Sequence, residues 1–148
     1  MIAGGDDPMS VPVDRVARIL GLRPNVRSVA DIAEAVESGL PKQSLERVVE
    51  RSGIEGPARL KLMHRVVPAA TYKRRHRLKL VEGERTERLA RVIALAEMLW
   101  DDDAEAKRFL ATPHPELGRK KPIEAALTEL GARQVEDVVM RALYGLPV

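Results

Sequence analysis

The sequence predicts an all-α chain: an N-terminal helical unit containing a helix-turn-helix, joined by a long helix to a small C-terminal helical unit. Three observations predict it. Hydrophobic residues make up 45% of the 148 positions and aromatics only 3%. The core is therefore built from Leu, Val, Ile and Ala, whereas strand-rich cores lean on aromatic and β-branched side chains. From Glu84 to Trp100, residues Leu89, Val92, Ile93, Ala96, Leu99 and Trp100 recur at spacings that share one helical face, with Arg85, Arg88, Arg91 and Glu97 expected over the rest. Elsewhere, Pro, Gly, Ser and Asp interrupt the apolar pattern at helix-length intervals.

Residues 1–10 read as a flexible tail, 11–82 as the helix-turn-helix region and 83–148 as the C-terminal unit. Pro12 can open a helix running to Leu20, with Gly21 as its stop. Ser28 is placed to cap a helix carrying Val29, Ile32, Ala33 and Val36, closed by Gly39. Pro41 starts the next, with Leu45, Val48 and Val49 on one face and Gly53 beyond its end. Gly56-Pro57 opens a fourth, striped by Leu60, Met63 and Val67 and widened by Leu62 and Val66. Pro68 breaks it, and a second short helix is expected from Ala69 to Leu78.

Two short helices joined by a tight turn, the second strongly basic, have the layout of a helix-turn-helix. Small Ala69 and Ala70 are expected to let the helices approach closely, and Tyr72 to plug the core rather than stack on a base. Thr71, Lys73, Arg74, Arg75 and Arg77 are the candidate contacts to bases and phosphates, since the arginine fork pairs bidentately with either. A basic amphipathic helix that packs, or that meets an acidic protein, is the alternative.

The charge distribution favours nucleic acid. Residues 1–58 hold 7 basic and 9 acidic side chains, residues 59–91 hold 11 and 3, and residues 92–148 hold 7 and 10. The net +3 of the chain thus conceals a middle segment, residues 59–91, of +8.

After the long helix, Asp101-Asp102-Asp103 supplies a stop and a cap, and a helix follows through Phe109 and Leu110. Thr112-Pro113-His114-Pro115 predicts a stiff, extended loop. Pro122 then sits at a helix start whose stripe is Ile123, Ala126, Leu127 and Leu130. Gly131 is expected to interrupt before a last helix carrying Val135, Val138, Val139 and Leu143. The chain ends on an apolar tip, Leu146-Pro147-Val148.

Several chemistries find no support. There is no cysteine, which excludes disulfides and thiolate metal sites and fits a reducing cytoplasm. His64, His76 and His114 lack the spacing of a zinc motif, and the aspartate triplet lacks the rest of a calcium loop. No glycine-rich phosphate loop and no nucleophile with its base is present, so neither enzyme activity nor a cofactor is expected. No signal peptide and no membrane span is expected.

A family resemblance covers residues 85–148. It rests on Arg88-Leu89-Ala90-Arg91-Val92, Ala96-Glu97 and Ala106-Lys107-Arg108-Phe109-Leu110. Its most specific parts are Thr112-Pro113-His114-Pro115-Glu116-Leu117-Gly118, Pro122-Ile123 and Gly131-Ala132-Arg133 with Val135-Glu136-Asp137. This segment resembles the Xre/MbcA/ParS toxin-binding antitoxin domain, and the N-terminal half is similar, more loosely, to the Xre-like helix-turn-helix of the same antitoxins. The resemblance implies an antitoxin of a type II toxin–antitoxin pair. Its partner would be a RES-domain toxin that consumes NAD. The C-terminal domain would obstruct the toxin's active site, while the helix-turn-helix would bind operator DNA and repress the operon. A homodimer or a larger toxin–antitoxin assembly is also implied.

Toxin contacts are expected at Arg119, Lys120, Arg141, Tyr144, Leu146 and Val148. The net negative charge of residues 92–148 suits a pocket lined for the phosphates of NAD. The chain departs from its relatives in two places. Arg119-Lys120-Lys121 stands where many have a further glycine, and Val81-Glu82-Gly83-Glu84 where a Ser-Pro-Glu-like cap is common. The competing readings are a solitary helix-turn-helix regulator without a toxin and an interaction module that has lost DNA binding.

Overall fold

The computed structural model describes residues 12–145. They form nine α-helices and one short 3-10 turn, with no strand among the described residues. In order these are α1 (Val13–Leu20), α2 (Val29–Ser38), α3 (Lys42–Arg51), α4 (Pro57–Val66), α5 (Ala69–Tyr72), α6 (Leu80–Leu99), α7 (Asp103–Ala111), the 3-10 turn (Pro115–Leu117), α8 (Pro122–Ala125) and α9 (Glu129–Leu143). The all-α expectation holds, with the helix-turn-helix half first and the long helix linking it to the C-terminal half. No helix among the described residues is long and apolar enough to cross a membrane.

Local signals explain most helix ends. Gly21 closes α1 with a left-handed φ of 75°. Ser28 caps α2 by accepting from the Asp31 N–H at 3.0 Å, and the Asp31 carboxylate accepts in return from Ser28 and Arg27 N–H groups. Those bonds, Arg27 first, hold the Asp31 carboxyl below its ordinary range. Asp102 caps α7 through the Ala104 N–H at 2.9 Å.

The long helix lies at the centre of the molecule, packed by α1, α2, α3, α4, α7, α8 and α9. It starts a turn earlier than the periodicity suggested, at Leu80, because Glu82 reaches back to the Lys79 N–H at 2.8 Å. The expected single apolar face is too narrow: every residue from Leu89 to Ala96 except Arg91 is fully buried. Ala90 and Ala94, which carry little weight in a hydrophobic stripe, are fully buried as well. One continuous core runs from Val16 in α1 to Val139 in α9.

Four charged residues of this helix, Glu82, Arg88, Arg91 and Glu97, act as tie-bars to other elements, while Glu84 faces solvent. Glu97 receives Arg51 at 2.8 Å and Arg15 at 3.4 Å, which fastens α1 and α3 to α6. Arg91 pairs with Glu87 at 3.0 Å and Glu136 at 3.2 Å, and Arg88 donates to the Leu127 carbonyl at 3.0 Å. Burial works against the charge on Arg91, but Glu87 and Glu136 outweigh it and strengthen its hold on its proton. On Glu136 burial prevails over Arg91 and lifts the carboxyl above its usual range.

The two halves also meet through bare backbone. Gly53, at φ 84°, packs so closely on α7 that a Cβ there would lie 2.3 Å from the Lys107 carbonyl oxygen.

Four further expectations need correction. Val29 and Ala33 do not join Ile32 and Val36 in the core; they face outward. In α4, Leu62 and Val66 are buried with Val67 behind them, while Leu60 is exposed. Gly131 does not interrupt: Thr128 caps α9 through the Gly131 N–H at 3.0 Å. Gly131 lies in the first turn, where a side chain would collide with the Ala125 carbonyl, and Leu130 is thrown outward. The Pro113–Pro115 loop is not simply extended. It closes on itself through the His114 N–H to the Lys120 carbonyl and the Arg119 N–H to the His114 carbonyl, both 3.0 Å.

Candidate functional site

The basic segment departs most from expectation. The helix after Pro68 spans only Ala69–Tyr72, not Ala69 to Leu78, and Ala69 and Ala70 are exposed instead of packed. The cause is long-range. Arg77 forms an antiparallel bridge with Pro41. The Leu78 N–H donates to the Leu40 carbonyl at 2.7 Å, and the Lys42 N–H to the His76 carbonyl at 3.2 Å. The chain is pulled out of helix to pair with the α2–α3 connection, and no local periodicity records this.

Tyr72 anchors what remains of the helix. Its hydroxyl donates to Glu46 on α3, Lys42 lies 4.7 Å from its ring centre, and His64 meets it edge-on at 6.0 Å. Burial, then Glu46, holds the phenol protonated beyond its ordinary range. The half-buried ring packs against the core, as expected of a plug.

The five candidate DNA contacts now divide. Lys73 and Arg74 are exposed on the turn after α5 and form no ion pair among the described residues. Thr71 is half-buried on the same helix. Arg77 is exposed and spends one donor on the Gly39 carbonyl at 2.7 Å, which leaves the rest of its fork outward. Arg75 is different. It pairs with Glu82 at 2.5 Å, its side chain 16% exposed, and so fixes the turn to the start of α6. Arg59, Lys61 and Arg65 on α4 and Lys79 before α6 are further exposed cations that the window 71–77 missed. The net charge of residues 59–91 was the signal that contained them.

The candidate toxin contacts divide by position along α9. Arg141 pairs with Glu116 at 2.9 Å and Asp137 at 3.2 Å, and so latches the proline loop to the C-terminal part of α9. The hydrogen bond it donates to Glu116 is the main reason its proton is held more tightly than usual. Tyr144 follows, 43% exposed. Lys120 belongs to the other end: it lines a cleft with Arg65, Glu124, Leu130, Gly131 and Gln134. Tyr144 lies ten residues beyond Gln134, about 15 Å along a helix. Arg119 is exposed beside Lys120, at φ 64°. Leu146 and Val148 lie outside the described residues.

Among the described residues, no group of three or more His, Cys, Asp or Glu side chains is arranged to hold a metal. What the surfaces offer is a set of exposed cations around the turn after α5 and, elsewhere, the exposed end of α9.

Comparison with known proteins places both halves. Residues 31–91 match the antitoxin Xre-like helix-turn-helix domain. Residues 95–145 match the antitoxin Xre/MbcA/ParS C-terminal toxin-binding domain. A relative described as Antitoxin Xre, from Pseudomonas putida, is 26% identical over 126 residues, covering 82% of this chain and 77% of its own length. The boundary between the two matched ranges falls within α6, at the level where that helix is buried on all sides.

Proposed function

We propose that this chain, which carries in order the helix-turn-helix and toxin-binding domains of the Xre/MbcA/ParS antitoxin family, is the antitoxin of a type II toxin–antitoxin pair. The observation that carries the reading is the joining of these two domains on one continuous helical core, with unpaired cations on the first. Its partner is a RES-type toxin that degrades NAD. The chain binds that toxin and covers its active site, and it represses its own operon by binding operator DNA. It acts by occupancy and performs no reaction of its own.

In this reading Lys73, Arg74 and the outward fork of Arg77 contact DNA, with Thr71 beside them. Arg75 positions the turn through Glu82. Arg141 holds the proline loop against α9, and Tyr144 leads the chain end toward the toxin pocket. Residues Tyr144 to Val148 are the plug. Self-association belongs to the same reading. An apolar groove of about 350 Å3 between α1, α2 and α6, with Val29 and Leu80 at its edge, suits a second copy.

Co-expression with the neighbouring toxin gene tests the proposal. Growth and cellular NAD are expected to be preserved by the full chain and lost when residues 144–148 are deleted. Full protection by the truncated protein rejects the plug, and a normal NAD pool with the toxin expressed alone rejects the RES assignment.

A further inference from the structure

The run Arg119-Lys120-Lys121 is a surplus of positive charge in a half of the chain that is otherwise net negative. Elsewhere in that half, arginines are satisfied: Arg108 pairs with Glu105, Arg133 with Glu129 and Arg141 with Glu116 and Asp137. Arg119, Lys120 and Lys121 form no ion pair among the described residues. Lys120 projects into a cleft of about 300 Å3 whose other cation is Arg65, from the last turn of α4. Arg65 also has no carboxylate partner among the described residues, and Glu124 is the one acidic side chain lining the cleft. Two cations that share a cleft with a single carboxylate repel, and an anion placed between them relieves that cost.

We propose that the Arg65–Lys120 cleft is a second contact for the phosphate backbone of operator DNA, so that the toxin-binding half carries part of the DNA footprint. The inference rests on the DNA-binding reading above. Three features favour a polyphosphate over the toxin. The cleft is shared with α4, the helix that leads through Pro68 into α5 and the exposed Lys73 and Arg74. It lies at the opposite end of α9 from Tyr144. Its cations form no ion pair among the described residues, and the one large apolar side chain lining it, Leu130, is 71% exposed, which suits positioning contacts. A footprint extending onto this half brings a bound toxin close to DNA and couples the two equilibria.

The test is fluorescence anisotropy of the full chain on its promoter fragment across a salt series, comparing wild type, Arg65→Gln/Lys120→Gln and Lys73→Gln/Arg74→Gln. Removing two phosphate contacts is expected to make the log–log salt slope shallower by about 2 in each double variant. Arg65→Gln alone, at a residue outside the expected toxin contacts, is expected to bind toxin like wild type. An unchanged slope for the Arg65/Lys120 variant, with Lys73/Arg74 behaving as expected, overturns this inference alone. Loss of toxin binding with DNA binding intact assigns the cleft to the toxin and overturns it too. No binding by wild type at low salt overturns the DNA reading itself, and this inference with it. All four positions are solvent-facing polar sites, and circular dichroism confirms that each variant is folded.

Discussion

The long helix α6 and the turn that feeds it are both rich in charge, and they use it in opposite ways. Along α6, Glu82, Arg88, Arg91 and Glu97 each reach a partner on another element, and they fasten α1, α3, α9 and the preceding turn to one axis. On the turn, Lys73 and Arg74 reach nothing within the described residues. A residue count cannot tell these apart, because arginine serves equally as a tie-bar and as a probe for phosphate. The partner decides. Arg75 makes the point at closest range: it sits beside Arg74 in sequence and belongs, through Glu82, to the other class.

The sharpest challenge to this contrast is to remove the axis. Leu95 is wholly buried where the N-terminal and C-terminal halves share α6. Leu95→Ala is expected to cost about 2–5 kcal/mol. Because one core serves both halves, calorimetry is expected to show a single transition moved to lower temperature, with both halves unfolding together. Two separated transitions would show that α6 does not unite them.

The neighbouring arginines give a smaller and more pointed effect. Arg75→Gln leaves Glu82 at 8% exposure without its cation, and is expected to cost about 1–3 kcal/mol. Arg74→Gln is expected to change stability by less than about 0.5 kcal/mol while weakening DNA binding. Chemical denaturation and anisotropy on the same preparations measure both. Equal stability of the two variants would erase the distinction between them.

The smallest effect concerns a charge held by backbone instead of a side chain. The Asp31 carboxyl is depressed by the Arg27 and Ser28 N–H groups, so its stabilising contribution is present above the ordinary carboxylate range. It is lost as pH falls through the lowered folded-state value. Wild type is expected to exceed Asp31→Asn in stability at neutral pH and to converge with it below about pH 4. A difference that stays constant down to pH 2 would show that the capping bond does not depend on the charge.

Much of the architecture was legible because helix ends are written locally. Ser28, Asp102 and Gly21 do what their residue types dictate, and Leu45, Val48 and Val49 bury as their spacing requires. What was not legible depends on distant partners. The helix after Pro68 stops at Tyr72 because residues 76–78 pair with residues 40–42, far away in the chain. Thr128 was overshadowed by Gly131, whose missing side chain admits the Ala125 carbonyl and breaks nothing. The candidate site was half readable: the basic window was found, but its division into Arg75, which braces, and Lys73 and Arg74, which reach outward, needs the position of Glu82. Lys120 and Tyr144 lie toward opposite ends of α9, and sequence proximity to that helix does not say which end a residue of the loop reaches.

Hydrogen exchange of the chain with and without its toxin tests the central claim most directly. The account predicts new protection in residues 137–145, at the C-terminal end of α9, with residues 71–79 still exchanging as in the free chain. Protection confined to residues 31–79, with the end of α9 unchanged, would contradict it.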